Sequence, residues 1–104
     1  MGIMIRGTTP TFELKITDNT VDLTQATNVY ATFAQWGKTI TKTGNDIDVT
    51  AQQVDVYFSQ ADSLSFSSGT IEVQLNWTDT DGSRAATNII KVVIGDNLLP
   101  EVLA

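Results

Sequence analysis

Gly69-Thr70-Ile71-Glu72-Val73-Gln74-Leu75-Asn76-Trp77-Thr78-Asp79 is the stretch on which the fold of this chain turns. Ile71, Val73, Leu75 and Trp77 alternate with Glu72, Gln74 and Asn76. A strand repeats every two residues, so one face enters a core and the other meets water. Asp79-Thr80-Asp81-Gly82 follows, and an Asp-Gly step accepts the positive φ of a tight hairpin turn. The return arm, Ala85 to Ile94, carries Ile89, Ile90, Val92, Val93 and Ile94 almost without a break. Apolar residues on both of its faces predict a central position, covered on one side by a second sheet.

Working outward, the same period recurs. Thr11 to Thr17 predicts a strand with Phe12, Leu14 and Ile16 on one face, and Asn28 to Gln35 another with Val29, Ala31 and Phe33 inward. Trp36-Gly37 turns the second strand back into Lys38–Thr43, a mostly polar arm that suits a sheet edge. Val21-Asp22-Leu23 reads as a brief strand or a corner that plugs one end of the core. Ile47–Thr50 and Val54–Phe58 add two short strands, and Ser59-Gln60-Ala61-Asp62 resembles a helix-start box leading into a single turn. Arg6 to Pro10 reads as an irregular lead-in. About seven short strands with turn signals about every 8–12 residues predict an all-β fold, a two-sheet immunoglobulin-like β-sandwich. A small β-barrel gives the same alternation.

The 104 residues form one domain, 1–104, with an arm at 95–104 beyond the last strand. Cysteine and histidine are absent, which removes disulfides, thiolate metal sites, the commonest general base and the commonest metal ligand. Asp79 and Asp81 have a fragment of a calcium-loop look, but Ser83 to Ile90 holds no acid to complete such a loop. No pair of carboxylates is singled out and no glycine-rich phosphate loop occurs, so the sequence designates no catalytic, metal or cofactor-binding residue and points away from an enzyme. A net charge of −6 disfavours direct nucleic-acid binding. Met1 to Ile5 is too short to be read as a membrane span or signal peptide.

Two apolar features are hard for a core to claim. Trp36 lies at a hairpin tip, and Leu98, Leu99, Val102 and Leu103 follow the last strand and straddle Pro100. Trp77 shares a face with Ile71, Val73 and Leu75 and is expected in the core. Trp36 and the four tail aliphatics are therefore the candidate partner-binding residues, either folding back on their own sandwich or docking on a neighbour.

Met4-Ile5-Arg6-Gly7-Thr8-Thr9-Pro10-Thr11-Phe12, Val29 to Gln35 with Gly37-Lys38, Ser59 to Phe66, Ala86 to Ile90 and the ending Gly95 to Leu103 resemble a family of small proteins encoded by tailed phages and prophages of gut Firmicutes. More distantly, the layout is similar to the immunoglobulin-like N-terminal domain of phage baseplate upper proteins. The position of Trp36 is more often Asn or Gly in that family. The resemblance implies a virion-associated or morphogenesis protein of tail, neck or baseplate, found in the virion or the bacterial host cytoplasm. It would act on other phage structural proteins or on itself as a homo-oligomer, away from membranes, and no catalytic residues come with it. Two other expectations stand beside it. The acidic charge suits a small inhibitor of a host defence nuclease, and an exposed aromatic suits a carbohydrate-binding module.

Overall fold

The computed structural model describes residues 4–18, 20–99 and 102–103. In chain order it contains β1 (Met4–Ile5), β2 (Thr11–Lys15), β3 (Ala26–Gln35), β4 (Lys38–Lys42), β5 (Ile47–Val49), β6 (Gln53–Tyr57), a short helix α1 (Gln60–Leu64), β7 (Gly69–Asp79), β8 (Arg84–Ala86) and β9 (Ile90–Gly95). The strands fall into two sheets. One has the order β1-β9-β7-β3-β4 with β8 also on β7; the other is β2-β6-β5. These are the two sheets of the expected all-β sandwich, separate rather than joined into one closed sheet. The strands outnumber the expected seven because β1 forms just ahead of the lead-in and the return arm splits in two.

The long hairpin organises the larger sheet. β7 pairs antiparallel with β3 along its length, from Val29 opposite Trp77 to Ala34 opposite Glu72. Its other side is shared: Asn76, Trp77 and Thr78 face β8, and Gly69 to Val73 face β9. Between those two pieces Thr87 bridges the gap, its N–H donating to the Leu75 carbonyl at 3.0 Å and its hydroxyl accepting from the Leu75 N–H at 3.1 Å. β9 also gains a parallel neighbour, with Met4 beside Ile94 and Ile5 beside Gly95.

Alternation sorts the two faces as it should. Ile71, Val73, Leu75 and Trp77 are buried, as are Val29, Ala31 and Phe33 across from them. Phe12, Leu14, Val54, Val56 and Phe58 come from the smaller sheet and the residue that follows it. At the centre, the rings of Phe12, Phe33 and Phe58 lie 5.3, 5.4 and 4.7 Å apart in tilted and edge-on contacts, the geometry that aromatic quadrupoles favour. Leu23 does plug one end of the core, but from a 3-10 turn (Leu23–Gln25) and not a strand, capped by Asp22.

The return arm is central, as its sequence predicts, with β9 lying between β7 and β1 and covered on one side. Val92 and Ile94 point inward and Val93 outward, onto a face that no described element covers, while Ile90, opposite the inward Val73, stays 37% exposed. β4 lies at the sheet edge, as its mostly polar sequence predicts, but one of its polar residues is buried. Lys42 occupies the face of Ile40, opposite Ala31, and is buried. Its ammonium pairs with the Asp62 carboxylate and lies 5.4 Å from the centre of the Phe58 ring.

Candidate functional site

The two ends of the sandwich are built differently, and the candidate residues all belong to one of them. At that end meet the β3–β4 tip, helix α1 and the link to β7, the lead-in around Arg6, and the chain leaving β9. Few regular strand bonds are available there, and the joins are made by side chains reaching to backbone far away in sequence. The Arg6 Nε donates to the Phe66 carbonyl at 2.6 Å and its Nη2 to the Leu64 carbonyl at 3.1 Å, while Nη1 meets Asp96 at 3.1 Å. The Asn97 amide returns the bond to the Arg6 carbonyl at 2.9 Å. Ser63, fully buried, donates to the Thr8 carbonyl at 2.7 Å.

Helix α1 itself is short but well started. The Ser59 hydroxyl accepts from the Asp62 N–H and the Asp62 carboxylate accepts from the Ser59 N–H, the capping box that the sequence predicts. Burial pushes the Asp62 carboxyl up. The Lys42 ammonium and the Ser59 N–H and hydroxyl outweigh that and hold it below its ordinary value of 3.8.

Two glutamines act as clasps. Gln35 accepts from the Ser67 N–H at 2.8 Å and donates to the Ser67 carbonyl at 2.7 Å, so the β3 end is tied to the strand link before β7. Gln60 does the same to Leu103, accepting its N–H at 2.7 Å and donating to its carbonyl at 3.0 Å. The arm is thus held by its backbone against α1, while its side chains stay outside. Leu98 is fully exposed, and Leu99, Val102 and Leu103 are 50%, 61% and 55% exposed. Trp36, beyond the Gln35 clasp, is 99% exposed on a tip turned by Gly37 at φ +64°. The structure therefore places Trp36 and the arm at one end of the sandwich, on separate surfaces. Trp77, by contrast, is buried as expected.

Beside Trp36 lies an open groove of about 610 Å³, lined by Trp36, Ser67, Ser68, Thr70, Glu72 and Lys91. Sequence reasoning did not find it, because Trp36, Ser67 and Lys91 come together only through sheet register: Ala34 lies opposite Glu72, and Glu72 opposite Lys91.

At the far end several acids serve their own turns. Asp18 accepts from the Thr20 hydroxyl and N–H, and Asp81 from the Ser83 hydroxyl and N–H; these bonds lower both carboxyls below 3.8. Asp79 and Gly82 close the β7–β8 turn, with Gly82 at φ +84°. The Asp79–Asp81 pair is thus occupied in turn geometry, and among the described residues no three acids stand together as a metal-binding group. Among the same residues no helix is long and apolar enough to cross a membrane.

Compared with protein-family models, curated proteins and solved structures, the chain matches none. What the fold and the site define is a class: a two-sheet all-β sandwich with an exposed tip tryptophan and an exposed aliphatic arm at one end.

Proposed function

We infer that the chain is a non-enzymatic assembly module of a tailed-phage particle, acting in tail, neck or baseplate by holding to neighbouring structural proteins or to further copies of itself. The observation that carries this reading is the arm. Four aliphatic side chains lie in water while Gln60 fixes the Leu103 backbone behind them. Exposed apolar surface is costly at about 25 cal/mol per Å², and a partner's groove that covers it recovers that energy. Because the backbone is already held, docking the arm would cost less ordering entropy than docking a free tail. The phage setting rests on the resemblance of Met4–Phe12, Val29–Gln35 and Gly95–Leu103.

Proteomic analysis of density-purified particles tests the setting: the chain should be present in fixed ratio to a known tail subunit, and its absence from intact particles would contradict the reading. A second reading, a small acidic inhibitor of a host nuclease, draws on the net charge of −6 and on Asp18, Asp22, Asp79 and Asp81, each serving a turn at the far end. It expects tight, salt-sensitive binding to a basic protein, abolished by neutralising those four residues, and no place in the particle.

A further inference from the structure

We propose that the groove beside Trp36 is a binding site for a neutral saccharide, a function separate from the assembly role of the arm. Three features of the groove select this ligand class. First, its one large apolar wall is a flat indole with both faces free: Trp36 is 99% exposed. Hexopyranose rings carry a patch of C–H bonds on one face and hydroxyls around the rim, so they can stack on an aromatic and still hydrogen-bond sideways. Second, everything else in the groove suits a hydroxyl rim. Ser67, Ser68 and Thr70 supply short polar side chains, Glu72 supplies an acceptor and Lys91 a donor. Glu72 and Lys91 stand opposite each other in register, and neither is in an ion pair with another described residue. Both are free to turn toward a ligand.

Third, the charges in the groove cancel, one carboxylate against one ammonium, so neither an anionic nor a cationic ligand gains net attraction there. A protein partner fits less well. Interface cores are depleted in Lys and Glu and gather several apolar anchors, whereas this groove is lined by one Glu and one Lys and offers a single aromatic. The volume, about 610 Å³, lies inside the range of about 300–1,000 Å³ usual for small-ligand sites. The groove is also braced before any ligand arrives: the Gln35 side chain holds Ser67 through both its backbone N–H and its carbonyl. Pre-organisation of this kind lowers the entropic cost of binding.

The test uses the full chain, uniformly labelled with nitrogen-15, titrated with neutral tetrasaccharides of glucose, galactose, mannose and N-acetylglucosamine in both α and β linkage. Concentrations reach about 10 mM, tenfold above a dissociation constant of about 1 mM. At least one saccharide should shift the Trp36 indole resonance and the Ser67–Thr70 and Lys91 amides saturably, while the Trp77 indole, an internal control in the core, stays still. Trp36→Ala should weaken binding about tenfold and Glu72→Gln about threefold, and Leu98→Ser in the arm should leave it unchanged. Trp36 touches too little to affect folding when removed, and the amide spectrum of each variant confirms this directly. The proposal fails if no saccharide shifts these resonances, or if Trp36→Ala binds as tightly as the wild-type chain. It fails equally if Trp36→Ala abolishes association with a protein partner while every saccharide is inert.

Discussion

The two ends of the sandwich solve the same problem, closing a β-sheet core against water, by opposite means. At the acidic end each carboxylate serves a turn it belongs to: Asp18 with Thr20, Asp22 with Thr24, Asp79 and Asp81 with Ser83, none reaching more than four residues along the chain. At the arm end the closing bonds run from Arg6 to Leu64, Phe66 and Asp96, from Gln35 to Ser67 and from Gln60 to Leu103. Those partners are 32 to 90 residues apart. Apart from the Gln52 amide, which donates to the Asp18 carbonyl 34 residues away at 3.0 Å, side-chain closure there is local, and the end is polar and largely self-contained. Long-range closure ties separate segments together and leaves their apolar side chains with nothing to cover them. The exposed groups that invite partners gather at the second end for that reason.

If this contrast is right, the arm end is the more costly one to disturb. Arg6→Met removes three guanidinium bonds and strands the carbonyls of half-buried Leu64 and buried Phe66, and should lower unfolding free energy by about 2–4 kcal/mol in urea titration. A loss below about 0.5 kcal/mol, the level of an ordinary surface change, would break the comparison.

Next comes the Lys42–Asp62 pair, which anchors α1 to β4. Lys42→Met should cost about 1–2 kcal/mol near neutral pH, less than a fully buried pair because the Asp62 side chain keeps 26% of its surface exposed. The folded Asp62 carboxyl is depressed, so its contribution is present above the unfolded value of 3.8 and is lost as pH falls through the lower folded value. The wild-type chain should lose stability more steeply than the Lys42→Met variant over that acid range. Parallel acid limbs would remove the pair from the account.

Two glycines sharpen the contrast further. Gly7 and Gly82 both sit at positive φ, +83° and +84°. A Cβ on Gly7 would stand 3.2 Å from Leu64 Cδ2, whereas one on Gly82 meets nothing within 4 Å. Both Gly→Ala changes carry the backbone penalty of about 1 kcal/mol, but Gly7→Ala should cost more by thermal melting, since Leu64 must also give way. The smallest effect belongs to the local end: Asp22→Ala removes one cap and should cost about 0.5–1 kcal/mol, with α1 and the arm unperturbed in amide spectra.

The same contrast explains how much could be read in advance. Period-2 alternation delivered β2, β3, β6 and β7 and placed Trp77 in the core, and the Asp-Gly step predicted the turn at Asp79–Gly82, because those signals are local. The capping box at Ser59–Asp62 was legible for the same reason. Lys42 had a local signal too, since it shares parity with the inward Ile40, but a lysine on a polar edge strand reads as solvated until its partner on another element is known. Arg6 had none; nothing in Arg6-Gly7-Thr8 announces Phe66 and Asp96. The apolar run Ile89–Ile94 marked β9 as a central strand covered on one side, but nothing in it announced the break that splits the arm into β8 and β9. The Trp36 groove depends on register across three strands, which no single segment encodes.

The arm's role admits a direct measurement. Because Asp96 and Asn97 hold Arg6, a truncation that removes the arm and spares the fold ends after Asn97. Sedimentation equilibrium of the full chain and of this truncation, alone and mixed with the structural protein that co-purifies with it from particles, compares their masses at matched concentration. The account predicts that the full chain associates, with itself or with that partner, and that the truncated sandwich stays folded and monomeric. Equal association of both, or a full chain that remains monomeric in every mixture, would contradict it.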